Sequence, residues 1–320
     1  MAFHGAWKDV ASGDMEVSLA IGVEKTFVQG DAARTMEIFE GGIDQLDPQE
    51  WHDYYAKRGQ EAGKPFDPNA EGGTVFMDTY AMQAAWHMKT YGTTQEQIAM
   101  AASKNHWHGS MNPKAQFPAQ VTLEQVMKSS VVAEPLRLLH CSPVSDGAAA
   151  VLLCPLKDAK KYTDRPVRIL GSGMATGSLA LADRKDITFL DAVQGAAERA
   201  YRMAKVGPGD VDVAEVHDCF SISEICCLEA LGFADRGHGA EAARTGWSAL
   251  GGKLPVNTSG GLKSKGHPVG ATGVAQVIEI YEQLRGEAGK RQVDGARTGL
   301  AQNMGGSGAS CTVHILQGVS

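Results

Sequence analysis

Three short segments in the C-terminal third of the chain carry groups that could do chemistry. Residues 217–220 read His-Asp-Cys-Phe, residues 266–273 read Gly-His-Pro-Val-Gly-Ala-Thr-Gly, and residues 303–308 read Asn-Met-Gly-Gly-Ser-Gly. Together they offer a thiol, an imidazole and a run of glycine amides able to bind an oxyanion. This combination is typical of enzymes that make or break carbon–carbon bonds beside a thioester.

The segment 266–273 is the most specific of the three. Pro268 restricts the backbone after His267, and we expect Gly270 and Gly273 to let the chain bend into a helix. The dipole of that helix would favour the neutral imidazole. A structural histidine buried in a turn is the alternative, but an eight-residue motif in a fitting context favours a catalytic one.

The segment 217–220 directly follows the apolar run Val211–Val216, which predicts a strand, and α/β sheets place catalytic groups at such ends. Cys219 could remove or return an α-proton, because a thiolate forms readily beside an imidazole such as His217. The alternative is an inert buried cysteine, which is our interpretation of Cys226 and Cys227. The segment 303–308 ends a further predicted strand with amides free to face an anion, although a plain glycine turn is also compatible with it.

The elements that must position these segments alternate between helix and strand. Residues 1–13 have helical spacing, and Val17–Val23 is an apolar run that predicts a strand covered on both faces. Residues 28–135 predict a helical excursion from the sheet, with a turn at Gly72-Gly73. The second half predicts parallel βαβ units. Its predicted strands are Pro166–Gly173, Val211–Val216, Gly299–Asn303 and Cys311–Leu316, and its helices are Phe189–Ala204, Ile222–Leu231 and Gly273–Leu284.

The chain also contains a faint internal repeat. Helix 1–13 followed by Val17–Val23 matches helix Gly273–Leu284 followed by Gly299–Asn303, and the apolar strand near 145–153 matches 307–316. The second copy has the segment 266–272 before its helix, whereas the first copy has no corresponding segment. We therefore expect two duplicated halves, the first of them incomplete.

The order and wording of these motifs resemble the thiolase superfamily, closest to the sterol-carrier-protein-X type and its bacterial and archaeal acetyl-CoA acetyltransferase-like relatives. The resemblance runs the whole length of the chain. It implies an α/β, five-layer αβαβα fold with two duplicated halves. Residues 1–27 and 136–160 would then be a remnant of the N-terminal half, 28–135 an inserted loop domain and 161–320 the C-terminal half.

The resemblance also implies a role for each candidate residue. His267 would activate a nucleophilic thiol and donate to the thioester oxygen, with His217 helping to bind that oxygen. Cys219 would be the acid and base at the α-carbon, and Gly305 would supply an oxyanion-binding amide. Many thiolases carry a second catalytic cysteine where Asn303 stands, so its absence supports the sterol-carrier-X branch, in which Cys219 substitutes for it.

One expected group is missing. The family's nucleophilic cysteine should stand just before a helix that here begins at residue 1, and neither Cys141 nor Cys154 has the matching context. We expect an N-terminally truncated form of a thiolase-like enzyme, poorly stable or inactive by itself. Its activity would be acyl-CoA C-acyl transfer, as 3-ketoacyl-CoA thiolysis or as Claisen condensation of acetyl- or propanoyl-CoA.

Two alternatives stay open. A thiolase-like retro-aldolase subunit for acyl-CoA side chains would predict aromatic hydroxyls in place of the thiol at 219. A non-catalytic scaffold or binding subunit of an acyl-CoA complex would need neither His267 nor Cys219. Retention of both residues favours the acyltransferase.

Composition narrows the partners. The net charge of −7 argues against nucleic acid, and the sequence has no apolar run long enough for a membrane span. Six cysteines without disulfide spacing indicate a reduced, cytoplasmic protein. We expect no metal, since His106-Trp107-His108 lacks a third ligand and is interpreted as a loop feature, and no cofactor beyond coenzyme A thioesters as substrates. The resemblance implies a homo-oligomer in the complete form and, as a further candidate partner, a zinc-ribbon acyl-CoA-binding protein.

Overall fold

The computed structural model describes residues 1–40, 48–65, 74–179 and 183–319, and the turn predicted at Gly72-Gly73 lies outside them. The helices are α1 (Ala2–Ser12), α2 (Ala32–Glu40), α3 (Pro48–Ala62), α4 (Val75–Tyr91), α5 (Gln95–Gly109), α6 (Leu123–Lys128), α7 (Asp191–Ala204), α8 (Ser221–Ala230), α9 (Glu241–Arg244), α10 (Gly261–Lys265) and α11 (Val269–Leu284). The strands are β1 (Ser18–Glu24), β2 (Val131–Ala133), β3 (Leu136–Arg137), β4 (Gly147–Leu153), β5 (Val167–Thr176), β6 (Val213–Glu215), β7 (Thr298–Gly305) and β8 (Ser310–Gly318). The predicted α/β class is confirmed.

The N-terminal helix and strand pack as one unit with β4. Helix α1 ends at Gly13, whose φ of 85° is the left-handed conformation that favours glycine. Strand β1 then pairs antiparallel with β4, with Ala20 opposite Val151. Phe3 of α1 packs in one apolar cluster with Ala20, because α1 lies against the inner face of this sheet.

The prediction that β1 is covered on both faces is wrong. Its side chains alternate, so that Ala20 is 2% exposed whereas Leu19, Ile21 and Val23 are 52%, 53% and 62% exposed. Helices α1 and α11 contact the inner face, and no element within the described ranges covers the outer one. An all-apolar run therefore does not reveal how many faces of a strand are buried.

A second, four-stranded sheet has the order β5-β8-β7-β6. Strands β6 and β7 are parallel, whereas β8 runs antiparallel to both β7 and β5. The predicted parallel βαβ arrangement thus holds for the β6–β7 pair and is wrong for β5 and β8. Helix α7 covers β5 and β8 on one face, and α11 contacts β6, β7 and β8.

Helix α11 joins the two sheets. It contacts β1 and β4 as well as β7, and the order α11–β7–β8 repeats the order and antiparallel pairing of α1–β1–β4. It begins at Val269, four residues before the predicted start. The prediction that Gly270 bends the chain into the helix is wrong, because Gly270 lies within it. A Cβ there would stand 2.3 Å from the Val23 carbonyl oxygen, so glycine permits close contact with β1.

Helices α4, α5, α8, α9 and α10 pack against one another and cover part of the core. Helix α4 packs on α8, while α5 packs on α8, α9 and α10. The largest apolar cluster combines α4, α7 and α8 with β6, β7 and β8. Among the described helices, none has the length and apolar character needed to cross a membrane. This packing brings the loop after β6, the loop before α11 and the end of β7 to one place.

Candidate active site

A cavity of about 410 Å³ lies where these three loops meet α4. His217, Cys219, His267 and Gly305 all line it. The four candidate residues come from separate segments of the sequence, and the fold brings every one of them to the same cavity. Their chemical roles stay predictions.

Hydrogen bonds hold both the backbone and the ring of His267. Its main-chain N–H donates to Ser145 Oγ at 2.9 Å, and its Nδ1 lies 2.8 Å from Thr272 Oγ1. The Thr272 hydroxyl donates its own proton to the Pro268 carbonyl oxygen at 2.9 Å, so Nδ1–H must be the donor to Oγ1. This tautomer leaves Nε2 as a free acceptor, which is the arrangement of a general base.

The charge state of His267 follows from its surroundings. Burial, and then the neighbouring His217, lowers the pKa of His267 well below 6.5, so the imidazole is neutral at neutral pH. The prediction of a neutral ring therefore agrees with the pKa, but desolvation is its main cause in place of the predicted helix dipole.

His217 has the opposite tautomer. Its ring lies 5.0 Å from that of His267, at 82° to it. Asn303 Nδ2 donates to Gln276 Oε1 at 2.9 Å and lies 3.1 Å from His217 Nδ1, which makes Nδ1 an acceptor. The ring proton is then on Nε2. Burial lowers the pKa of His217 to about 4, so a neutral donor stands beside the neutral base.

Asp218 fixes the loop that carries His217 and Cys219. Its carboxylate accepts from Lys263 Nζ at 2.6 Å, from Asn105 Nδ2 at 2.7 Å and from the Leu262 N–H at 2.8 Å. Both Asp218 and Lys263 are fully buried. Burial opposes ionisation of Asp218, but the charge and hydrogen bond of Lys263, together with the Leu262 N–H and the charge of Lys104, outweigh it and lower the pKa. The buried pair thus ties the loop after β6 to helix α10, which leads into His267.

Two thiols line the described part of the cavity, Cys219 and Cys141. Burial raises the pKa of the Cys219 thiol to about 11. Burial, and then the neighbouring Cys219, raises the pKa of the Cys141 thiol to about 12. Both are therefore protonated at neutral pH and are weak nucleophiles until a base acts on them. Cys226, Cys227 and Cys154 do not line the cavity. The first two are buried in α8, and Cys154 is half-buried.

Sequence reasoning missed the roles of four residues at this site. Tyr80 of α4 lines the cavity beside Cys219, Asn303 orients His217, and Lys263 with Asn105 holds Asp218. Tyr80 and Asn105 come from the excursion at 28–135, where no motif marked them. Lys263 could have been suspected, since it stands three residues before the motif at 266–273 and directly after a Gly-Gly pair and a leucine.

No metal is implied by the described ranges, which contain no group of three His, Cys, Asp or Glu side chains suited to one. The interpretation of His106-Trp107-His108 as a loop feature is wrong, because the tripeptide lies in α5. His108 is fully buried and joins the Asn257 carbonyl oxygen, 3.0 Å away, to the Leu250 N–H. His108 is therefore a structural residue that holds α5 against the segment preceding α10.

Comparison with known families accounts for nearly the whole chain. Residues 1–157 match the model of the thiolase N-terminal domain, and residues 173–318 match that of the thiolase C-terminal domain-like family. An acetyl-CoA acetyltransferase of Methanothermobacter thermautotrophicus is 50% identical over 98% of this chain and 76% of its own length. Sterol carrier protein 2 of Rattus norvegicus is 37% identical over 92% of this chain, which spans 55% of that relative.

Solved structures agree with this fold. The chain in a structure titled Ltp2-ChsH2(DUF35) aldolase superposes with a TM-score of 0.77 at 24% identity, covering 96% of this chain and 74% of that one. Human mitochondrial 3-ketoacyl-CoA thiolase superposes with a TM-score of 0.64 at 18% identity, covering 100% of this chain and 76% of its own. The predicted thiolase-like fold is confirmed, and the chain belongs to the thiolase family.

Proposed function

We propose that this chain supplies the acid, base and oxyanion-binding groups of a sterol-carrier-X-type acyl-CoA C-acyltransferase. The reaction is thiolysis of a 3-ketoacyl-CoA or its reverse, the Claisen condensation of two acyl-CoA molecules such as acetyl- or propanoyl-CoA. The observation that carries the proposal is the convergence of His217, Cys219, His267 and Gly305 on one cavity. The relatives named acetyl-CoA acetyltransferase support the same class of reaction.

The two histidines have different tautomers and are therefore proposed to have different roles. Nε2 of His267 is the acceptor for a thiol proton, whereas Nε2–H of His217 is a donor for the thioester oxygen as negative charge develops there. Gly305 lies at the end of β7 in the same cavity and would add a backbone amide to that oxygen. Neutral histidines suit both tasks, since a protonated His267 could not accept.

Cys219 is the group proposed for the α-carbon. A base must first take the proton of the Cys219 thiol, because the pKa of this thiol is raised to about 11. The thiolate then takes the α-proton and becomes a thiol again, while the electron pair of the broken C–H bond moves into the enolate of the thioester. The enolate oxygen is held by His217, and the carbon then attacks an acyl group. That acyl group is proposed to be carried by a further cysteine, distinct from Cys141 and Cys219.

An isotope-exchange experiment tests the proposal without requiring the acyl-carrying thiol. Incubation with propanoyl-CoA in D₂O should introduce deuterium at the α-carbon, measured as a mass increase of the thioester. Replacing Cys219 with Ala should lower the exchange rate by at least about 100-fold, because general acid–base catalysis contributes about 10²–10⁴-fold.

Cys226→Ala is the matched control, since Cys226 is a buried cysteine of α8 that does not line the cavity. It should exchange at the wild-type rate. Absence of exchange by the wild-type chain, or equal exchange by Cys219→Ala, would contradict the proposal. Binding of propanoyl-CoA with no exchange at all would favour the scaffold alternative.

A product analysis separates the acyltransferase from the retro-aldolase. The acyltransferase requires free coenzyme A to cleave a 3-ketoacyl-CoA and produces two thioesters. A retro-aldolase cleaves a 3-hydroxyacyl-CoA without free coenzyme A and releases a carbonyl compound. The thiol at position 219 favours the acyltransferase. A homo-oligomeric complete form, a cytoplasmic location and a zinc-ribbon acyl-CoA-binding partner stay predictions that accompany this proposal.

A further inference from the structure

Gln276 of α11 is a buried side chain that reaches the candidate site through one hydrogen bond. It is 0% exposed, and its Oε1 accepts from Asn303 Nδ2 at 2.9 Å. Asn303 in turn contacts the ring of His217. Gln276 is therefore separated by a single side chain from the proposed oxyanion donor, although no step of the proposed reaction uses it.

The Asn303 amide has two N–H bonds, and each one points at an acceptor. The first donates to Gln276 Oε1 at 2.9 Å, and the second donates to His217 Nδ1 across 3.1 Å. Because Nδ1 accepts, the proton of the neutral imidazole is on Nε2. The orientation of one amide group thus decides which ring nitrogen of His217 is the donor.

Helix α11 holds the Asn303 amide from the side of Gln276. Gly273 and Gln276 are three residues apart in α11 and so lie on the same face of the helix. A Cβ on Gly273 would stand 3.2 Å from Asn303 Cγ and 3.3 Å from Oδ1. The amide therefore packs directly on this face of α11, beside the glutamine that accepts from it.

A rotated Asn303 amide would require the other tautomer of His217. Its Oδ1 would face Nδ1, which would then have to carry the proton. The same rotation would bring Oδ1 against Gln276 Oε1, with no proton between two acceptors. Only a simultaneous rotation of Gln276 would remove this repulsion, since its Nε2, which is buried without a hydrogen-bond partner in the described part of the chain, would then donate to Oδ1. The His217 tautomer therefore reports the orientation of the Gln276 amide.

The other contacts of His217 fix its position without selecting its tautomer. Its main-chain N–H donates to Gln302 Oε1 at 2.8 Å, which holds the backbone. The titratable groups around the ring are Asp218, Lys263 and His267, whose ring lies 5.0 Å away. Substitution of Gln276 leaves all of these groups in place.

We propose that Gln276 is a positioning residue for His217. By accepting from Asn303 it holds that amide in the orientation that keeps the His217 proton on Nε2. The inference rests on the proposed function, because Nε2–H is the donor assigned there to the thioester oxygen. Gln276 itself neither gains nor loses a proton.

Nitrogen-15 NMR of histidine-labelled protein at pH 8 measures the two tautomers of His217, whose ring is neutral there because its pKa is about 4. The His217 signals are identified by their loss in His217→Ala. Gln276→Met removes the acceptor and nearly conserves the side-chain volume. The ratio of the Nδ1–H to the Nε2–H form should rise by about fivefold, the factor that one net hydrogen bond contributes to an equilibrium.

Gln283→Met is the matched control. Gln283 is a glutamine of the same helix, is 1% exposed and donates to the Thr258 hydroxyl and the Arg291 carbonyl oxygen. Its substitution also removes buried hydrogen bonds from α11, but it should leave the His217 ratio unchanged. An unchanged ratio in Gln276→Met would overturn the inference, as would an equal shift in Gln283→Met or a wild-type ring protonated on Nδ1.

Gln276→Glu provides a second measurement if Gln276→Met does not fold. At pH 9 an ionised carboxylate offers Asn303 a stronger acceptor, so the Nδ1–H form of His217 should decrease. An increase would overturn the inference. These ratios do not depend on turnover. The expected shift in Gln276→Met together with no isotope exchange by the wild-type chain would reject the proposed function and keep the role of Gln276 in setting the tautomer.

Discussion

Two histidines 5.0 Å apart differ in which ring nitrogen carries the proton, and one hydroxyl and one amide decide it. The Thr272 hydroxyl donates its proton to the Pro268 carbonyl oxygen and therefore accepts a hydrogen bond from His267. Asn303 donates to His217 instead. Since burial keeps both rings neutral, the cavity has one acceptor and one donor of the same residue type.

Thr272→Val tests this assignment at His267. Loss of the acceptor should shift the ring away from the Nδ1–H tautomer by about fivefold, which corresponds to a hydrogen bond of about 1 kcal/mol. Nitrogen-15 NMR of labelled histidine distinguishes the tautomers at pH 8. Thr272→Ser keeps the hydroxyl and should leave the ratio unchanged, and an unchanged ratio in Thr272→Val would contradict the assignment.

The sequence was sufficient to predict the four candidate residues that meet in the cavity, because each lies in a local motif. It was not sufficient for Tyr80 or for the Lys263–Asp218 pair. Tyr80 stacks on Phe220, the neighbour of Cys219, only because α4 packs on α8, and the two helices are more than 100 residues apart in the sequence. A residue whose role depends on a distant segment leaves no periodicity or spacing to detect.

At the scale of elements, the same limit explains the error at the start of α11. Gly270 could be interpreted as a bend or as a point of close approach, and both interpretations fit one sequence. The structure decides for close approach, since Gly22 of β1 and Gly270 face each other and a Cβ on Gly22 would stand 2.4 Å from the Gly270 carbonyl oxygen. The helix that follows His267 is thus seated on β1 by two glycines.

Gly270→Ala should therefore destabilise the chain. Its new Cβ would meet the Val23 carbonyl oxygen at 2.3 Å, and backbone cannot move aside as a flexible side chain can. Overpacking of this kind costs about 1–3 kcal/mol in the free energy of unfolding, measured by urea denaturation.

Gly5→Ala is the matched control for that substitution. Gly5 lies in α1 with no atom within 4 Å of the added Cβ, so alanine should stabilise the helix by about 0.5–1 kcal/mol. Equal effects of the two substitutions would contradict the close approach of α11 to β1.

At the scale of the whole molecule, buried neutral histidines make the fold sensitive to acid. Burial lowers the pKa of six of them from 6.5, to about 4 or about 3 for five and well below 6.5 for His267; the five are His106, His108, His140, His217 and His314. Between the unfolded and folded pKa values the unfolded chain binds more protons. Stability is therefore complete above about pH 6.5 and falls as the pH decreases.

One carboxyl acts in the opposite direction. Burial raises the pKa of Glu215 to about 7, so between pH 4.5 and pH 7 the folded chain holds one proton more at this site. Stability then rises as the pH decreases through that window, which offsets one histidine. The histidines whose pKa is lowered outnumber this carboxyl, so the free energy of unfolding should fall as the pH decreases from 6.5 towards 5.

His140→Leu isolates one of these histidines. His140 is 1% exposed, and neither ring nitrogen has a hydrogen-bond partner among the described residues. Leucine should increase the free energy of unfolding at pH 8 by about 1–3 kcal/mol, because it removes buried unsatisfied polar atoms. It should also reduce the acid dependence near pH 5 by about 1.4 kcal/mol per pH unit, since one proton fewer is taken up on unfolding.

Urea denaturation between pH 5 and pH 8, followed by tryptophan fluorescence, measures both effects. His238→Leu replaces an exposed histidine and should change neither the stability at pH 8 nor its acid dependence. If the free energy of unfolding of His140→Leu differed from that of the wild type by the same amount at every pH from 8 to 5, His140 would not be a neutral buried group. A gain at pH 8 that widens toward pH 5 would instead show that acid lability originates in the interior of the fold, where the same desolvation keeps His217 and His267 neutral for their proposed roles.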